Sequence, residues 1–148
     1  MLVSRRAAAV LVVAGAAVLA AGCGGGGKSL SKGDYASKLN RLCGSSADQF
    51  RELHLDLTVG DWKARGADVV NIDQSFLTKF DQLTPPDELK DAAREYRSAQ
   101  AKVLADDQAA YEAAKTGDLS KLRSALDQAN TDNGLGSAPA KEIGAQFC

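Results

Sequence analysis

Few side chains in this sequence could do chemistry, and three of them are cysteines: Cys23, Cys43 and Cys148. A thiol can carry a lipid, close a disulfide or ligate a metal. The sole histidine, His54, stands near Glu52, Asp56 and Asp61, from which a metal ligand or a general base could be drawn. Its spacing does not reproduce the Glu-x-x-His pattern of bundle metal sites, and it borders the apolar stripe of its segment, so a solvated edge histidine is expected. Asn130, Asp132 and Asn133 before Gly134 outline a calcium loop. With Gly134 as the loop glycine, however, the first and twelfth ligands would be Ala129 and Ala140, so the pattern fails and a simple turn is expected. Asp106 and Asp107 lie among alanines in mid-helix and read as a solvated face. No Gly-x-Ser-x-Gly elbow is present, and any triad would have to run through His54. The sequence therefore implies no catalytic residue, no cofactor and no metal site, and an enzyme is not expected.

The chain opens with Arg5 and Arg6, an apolar stretch from Ala7 to Ala21, and the small residues Ala20, Ala21 and Gly22 before Cys23. A basic start, an apolar middle and a small-residue exit make a secretory signal. At 15 residues the stretch falls short of the roughly 20 that a spanning helix needs. The run Leu19-Ala20-Ala21-Gly22-Cys23 resembles the lipobox of bacterial lipoprotein signals, with Ala20 where a larger aliphatic is usual. The resemblance implies that the Cys23 thiol receives a diacylglycerol and that residues 1–22 are then removed, leaving Cys23 first. Ser4, Arg5 and Arg6 also suggest a twin-arginine signal, but Ala8 stands where a bulky apolar residue belongs, so general secretion is expected.

Gly22, Gly27, Lys28 and Ser29 satisfy the P-loop pattern of a glycine, four residues, then Gly-Lys-Ser. A working P-loop follows a strand and opens a helix so that backbone amides converge on phosphates. Here the pattern follows a signal peptide whose cleavage removes Gly22, and no nucleotide is expected. Residues 23–33 read instead as the lipidated cysteine and a Gly-rich tether, which would hold the folded part, residues 34–148, within roughly 15 to 20 Å of the membrane.

Loss of the signal takes Lys plus Arg from 18 to 16 against 19 Asp plus Glu, for a net charge of −3. So small and mixed a charge argues against nucleic acid and against an electrostatic grip on anionic lipid. The anchor to the membrane is then the lipid on Cys23. With Cys23 lipidated, Cys43 and Cys148 form an even pair outside the reducing cytosol, and a disulfide is expected between them. Two isolated cysteines lack the close spacing of zinc ligands.

The remaining 126 residues suit one domain. Tyr35, Leu39, Leu42, Ser46, Phe50, Leu53 and Leu57 step by three and four, which predicts a helix from about Asp34 to Leu57 with Ser31 and Asp34 as a capping box. Trp62, Gly66, Val69, Ile72, Phe76, Phe80 and Leu83 predict a second from about Asp61, its N-cap, to Leu83. Thr84 is expected to cap a third helix with Pro85 in its first turn, running to about Thr116 on an alanine-rich face. Gly117 would end it in the left-handed conformation, and Asp118 would cap a fourth with Leu119, Leu122, Leu126 and Ala129 inward. Gly134, Gly136 and Pro139 predict a break after Asn130, then a short turn from Pro139 to Ile143 closed by Gly144. Trp62 is expected to be buried core.

Short connections and the absence of strand alternation predict an all-α fold: a single up-down four-helix bundle. The layout resembles a group of small secreted or lipid-anchored proteins of high-GC Gram-positive bacteria. It shares Cys43 in the first helix, the Leu-Thr-Pro-Pro turn within Leu83 to Leu89, the Gly117-Asp118 junction, and Ile143, Gly144 and Cys148 at the end. That resemblance implies the bundle and the Cys43–Cys148 pairing and implies no activity. The expectation for function is a membrane-anchored extracytoplasmic lipoprotein acting as a non-catalytic binding or interaction module. Its partner would be an envelope protein, a cell-wall component or a small ligand. A structural or accessory subunit of an envelope complex is the alternative.

Overall fold

A computed structural model describes residues 29–148. The signal segment, Cys23, the tether to Lys28, and Gly22, Gly27 and Lys28 of the P-loop pattern lie outside the described residues. Every regular element in the described part is helical: α1 (Lys32–Glu52), α2 (Val59–Phe80), a 3-10 turn (Asp87–Leu89), α3 (Lys90–Thr116), α4 (Leu119–Leu135) and α5 (Ser137–Ile143). None of these helices is long and apolar enough to cross a membrane.

The helix starts follow side-chain caps. At α1 the Ser31 hydroxyl accepts the Asp34 N–H at 3.2 Å and donates to the Asp34 carboxylate at 2.6 Å, so Lys32 and Gly33, expected in the tether, already belong to the helix. At α2 the cap is Thr58 rather than Asp61. Its oxygen accepts the Asp61 N–H at 3.1 Å while its hydroxyl donates to the Asp61 carboxylate at 2.7 Å, which places Asp61 inside the first turn. Helix α1 stops at Glu52, short of the expected Leu57, because the chain turns at His54, whose φ is +44°. Histidine is among the few non-glycine residues that visit this region. The Arg65 guanidinium donates to the Leu53 carbonyl and so ties down the freed end of α1. Leu57, expected on the α1 stripe, is 72% exposed.

Thr84 does not cap α3. Each residue ahead of a proline is pushed out of the helical region, so with Pro85 and Pro86 in succession Pro85 cannot open a helix behind a Thr84 cap. Pro86 is extended, with ψ 159°, and the 3-10 turn leads into α3. The Thr84 carbonyl accepts the Leu30 N–H at 3.1 Å instead, fastening the approach to α1 against the α2–α3 turn. Gly117 ends α3 at φ +77°, and the Asp118 side chain accepts the Lys121 N–H at 3.0 Å at the start of α4.

Helix α3 runs antiparallel to both α2 and α4. Gly66, Asp73 and Phe80 of α2 meet Tyr111, Asp107 and Tyr96 of α3 in descending order, and Gln100 and Lys102 of α3 meet Asn133 and Asp132 of α4. The result is an all-α bundle in which α3 is central, packed on α2, α4 and α5. The break expected after Asn130 is absent. Helix α4 continues to Leu135, and Gly136, at an ordinary helical φ of −70°, leads directly into α5. A Cβ on Gly136 would stand 3.2 Å from the Gln100 amide nitrogen and 3.4 Å from the Tyr96 ring, so glycine here permits a close approach to α3. Pro139 falls in the first turn of α5, where no amide proton is required, and Gly144 ends that helix at φ +88°.

The core has two apolar halves. One gathers Tyr35, Leu39, Phe76, Phe80, Tyr96 and Ile143 at the end where the chain enters and leaves, with the Phe80 and Tyr96 ring centroids 5.7 Å apart. The other gathers Trp62, Val69, Ala110, Ala114 and Leu122 at the opposite end, with Trp62 buried as expected. The expected disulfide joins Cys43 to Cys148 with Cα atoms 5.4 Å apart. Asn40 adds a polar clasp, accepting the Phe147 N–H at 3.0 Å and donating to the Gly144 carbonyl at 3.4 Å.

Candidate functional site

Between the two apolar halves the helices carry a layer of polar side chains. Ser46 of α1, Asp73 of α2, Asp107 of α3 and Asp132 of α4 are all about nine-tenths buried. Each stands on the inward stripe of its helix: Asp73 is four after Val69 and three before Phe76, Asp107 is four after Val103 and three before Ala110, and Asp132 is three after Ala129. The fold thus turns into the interior the acid that the alanines around Asp107 had suggested was solvated.

The acids form two linked pairs. Asp73 and Asp107 face one another across the α2–α3 seam, close enough for one carboxyl to donate to the other when it holds a proton. Burial first, then the hydrogen bond and the negative charge of Asp107, push the Asp73 carboxyl up to about 8, so it holds a proton at neutral pH. Burial also raises Asp107; the hydrogen bond from Asp73 works against that rise and the charge of Asp106 adds to it. One level away, Asp106 faces Asp132, and its carboxyl is raised by burial and then by the Asp132 charge. Asp132 is better provided, accepting from Gln128 at 3.1 Å with the Lys102 ammonium 3.8 Å away. Oxygen Oδ2 of Asp73 and Oδ2 of Asp106 are buried and find no donor among the described residues. A carboxyl pair of this kind is satisfied by a shared proton, by an ordered water or by a cation from outside.

A cleft gives access to the first pair. Helix α1 packs on α2 and α5, α4 packs on α3, and direct packing of α1 on α4 is slight. The gap holds about 260 Å³ between Phe50, Gln100, Val103, Ala129 and Asn133, with Asp73 and Asp107 in its lining. A second lobe of about 210 Å³ extends past Ser46, Phe76 and Tyr96 toward the disulfide and shares Phe50, Asp73, Gln100 and Asn133 with the first. Gln100 donates to Asn133 at 3.3 Å across one wall.

The residues singled out from sequence are placed elsewhere. His54 is exposed in the α1–α2 connection, and Asp61 is engaged by the Thr58 cap. Asn130, Asp132 and Asn133 do not make the expected turn. They are helical, and Asn133 accepts from Gln100 while Asp132 is buried. Among the described residues no group of three or more His, Cys, Asp and Glu is gathered to hold a metal ion. The Tyr96 hydroxyl lies 3.4 Å from the Cys43 sulfur, which ties the aromatic core to the disulfide. No family model, no curated protein and no solved structure matches this chain.

Proposed function

We propose that this protein is a lipoprotein held to the extracytoplasmic face of the cell membrane by a lipid on Cys23, and that its bundle is a non-catalytic binding module. The anchor is supported by the basic start, short apolar stretch and small-residue exit ahead of Cys23. Export is further supported by the Cys43–Cys148 disulfide, a bond at home outside the reducing cytosol. The observation that carries the binding reading is the cleft between α1 and α4, a concave gap in which Phe50, Phe76 and Val103 stand beside the convergent polar groups of Asp73, Gln100, Asp107 and Asn133.

A second reading, an accessory subunit of an envelope complex, draws on a different surface. Phe147 is 73% exposed beside a shallow groove along Gly33, Ala36, Asn40 and Gly44 of α1. Large exposed aromatics next to a smooth helix face suit contact with another protein.

Metabolic labelling with a clickable fatty acid tests the anchor. Label should enter the wild-type chain and be lost in Cys23→Ser, with the protein moving from membrane to medium. Photo-crosslinkers at Phe50 and at Phe147 in the native envelope separate the two readings. Capture from position 50 supports the module, and capture of an integral membrane protein from position 147 alone supports the accessory role.

A further inference from the structure

The Asp73–Asp107 pair is a buried acid site in which one carboxyl oxygen, Asp73 Oδ2, meets no donor among the described residues. Asp73 is 9% exposed and Asp107 8%, yet both line the open cleft. The charged groups around the pair are Asp106 and Lys102 on α3 and Asp132 on α4, and Lys102 is drawn to Asp132. Helix α1 adds Ser46 and Phe50, both uncharged. The local field is therefore negative.

Resting on the reading of the protein as a binding module, we propose that the α1–α4 cleft binds a small organic ammonium whose N–H groups donate to the Asp73 and Asp107 carboxyls in its lining, the unpartnered Asp73 Oδ2 among them. The lining of the cleft fits that ligand better than an anion or a hard divalent cation. An anion would meet up to four acids with one lysine nearby. A hard divalent cation seeks six to eight oxygens, whereas this lining offers two carboxyls, with the Asn133 carbonyl already accepting from Gln100. An ammonium needs only a few acceptors and gains from an aromatic face, and the cleft supplies the acid pair, the Gln100 carbonyl oxygen and the Phe50 ring. Each lobe alone is smaller than the roughly 300 Å³ at which small-molecule sites begin, and the two together enter that range. The ligand class is thus an amine with a modest apolar body.

The exchange balances without any covalent step. The ammonium enters carrying its own charge, the shared proton leaves to solvent, and both carboxyls become ionised. Binding is then coupled to release of about one proton, and below the pair's upper titration the affinity should rise roughly tenfold per pH unit.

The test uses the exported, disulfide-bonded domain and calorimetry with benzylammonium in two buffers of different ionisation enthalpy, from pH 5.5 to 7.5. Expected are saturable binding, release of about one proton near pH 6.5, and affinity that climbs with pH. Asp73→Asn keeps the size and hydrogen-bonding capacity of the side chain, and should lower affinity at least tenfold and abolish the proton release. Phe50→Leu leaves the acids in place and should weaken binding several-fold with proton release intact. Tetramethylammonium, which has charge but no N–H, should bind at least tenfold more weakly. Absence of benzylammonium binding, or binding without proton release, overturns the proposal. Benzyl alcohol or benzoate binding in the cleft in place of the amine overturns the cation assignment and leaves the module reading standing. Failure of both this titration and the position-50 crosslink removes the module reading as well.

Discussion

The end of the bundle at the disulfide and the waist midway along it are both crossed by α1, α2 and α3 and are built from opposite materials. At the disulfide end, Tyr35, Leu39, Phe80, Tyr96 and Ile143 close around one another, and Cys148 and Asn40 clamp the chain terminus over them. At the waist the inward positions are Ser46, Asp73, Asp107 and Asp132, and α1 stands away from α4. Apolar packing gains free energy from every contact, whereas a buried acid layer loses it unless each carboxyl is protonated or paired. The stable end therefore holds open a waist that would not persist alone. Buried acids with raised titrations are a recurring mark of sites that do something other than stabilise.

The largest expected effect lies at the clamped end. Cys43→Ser or Cys148→Ser should lower unfolding stability by about 2 to 5 kcal/mol, since the bond closes a loop of about 106 residues. Chemical denaturation with and without reductant reads this. An unchanged midpoint would mean that the apolar end holds without its staple.

The waist should answer to pH in the opposite sense from most acidic groups. The unfolded Asp73 carboxyl ionises near 3.8 and the folded one near 8, so between those values the folded state holds more protons. Stability should then fall as pH rises through that window, by up to ~1.4 kcal/mol per pH unit, and level off above it. Asp73→Asn should flatten the profile and raise stability at pH 8 by about 1 to 3 kcal/mol, because a neutral amide replaces a buried acid. Thermal melts of both proteins from pH 4 to 8.5 check the slope.

At the end opposite the disulfide, a Cβ on Gly66 would come within 2.6 Å of the Tyr111 ring and 3.1 Å of the Tyr111 Cβ. Gly66→Ala should therefore destabilise by about 1 to 3 kcal/mol despite the better helix propensity of alanine. Gly66→Ala combined with Tyr111→Ala should behave non-additively, because removal of the ring relieves the overlap. The smallest effect is at the α2 cap, where Thr58→Ala should cost about 1 kcal/mol, read as a shift in urea midpoint at unchanged slope.

Much of the fold could be read from the order of residues, and the failures have physical causes. Apolar residues at three- and four-residue steps placed Leu39, Phe76, Phe80 and Leu122 in the core. Glycines at 117 and 144 ended helices because their positive φ suits no other residue as well. The cap at Thr58 was missed because Asp61 caps equally well on composition, and only the paired hydrogen bonds decide between them. Gly136 reads as a breaker because glycine permits both a turn and a close approach, and only the 3.2 Å approach to Gln100 decides for the second. The waist was missed although its signal was present. Asp73, Asp107 and Asp132 occupy stripe positions by spacing, but an aspartate among alanines suggests solvent by type. Position should have outweighed type, since one polar residue per helix at a common height is more than a scatter of surface charge would produce.

The central claim is that the waist is an acid pair holding one proton at neutral pH. Carbon-13 NMR of the Asp73 and Asp107 side-chain carboxyls, followed from pH 3 to 10 in the folded domain, measures it directly. The account predicts linked titrations, with the last proton leaving the pair near pH 8, and in Asp73→Asn a single Asp107 titration still held above the ordinary carboxylate range by burial and the Asp106 charge. Two independent titrations near pH 4 would contradict it, and would mean that both carboxyls are solvated and that the waist is no site at all.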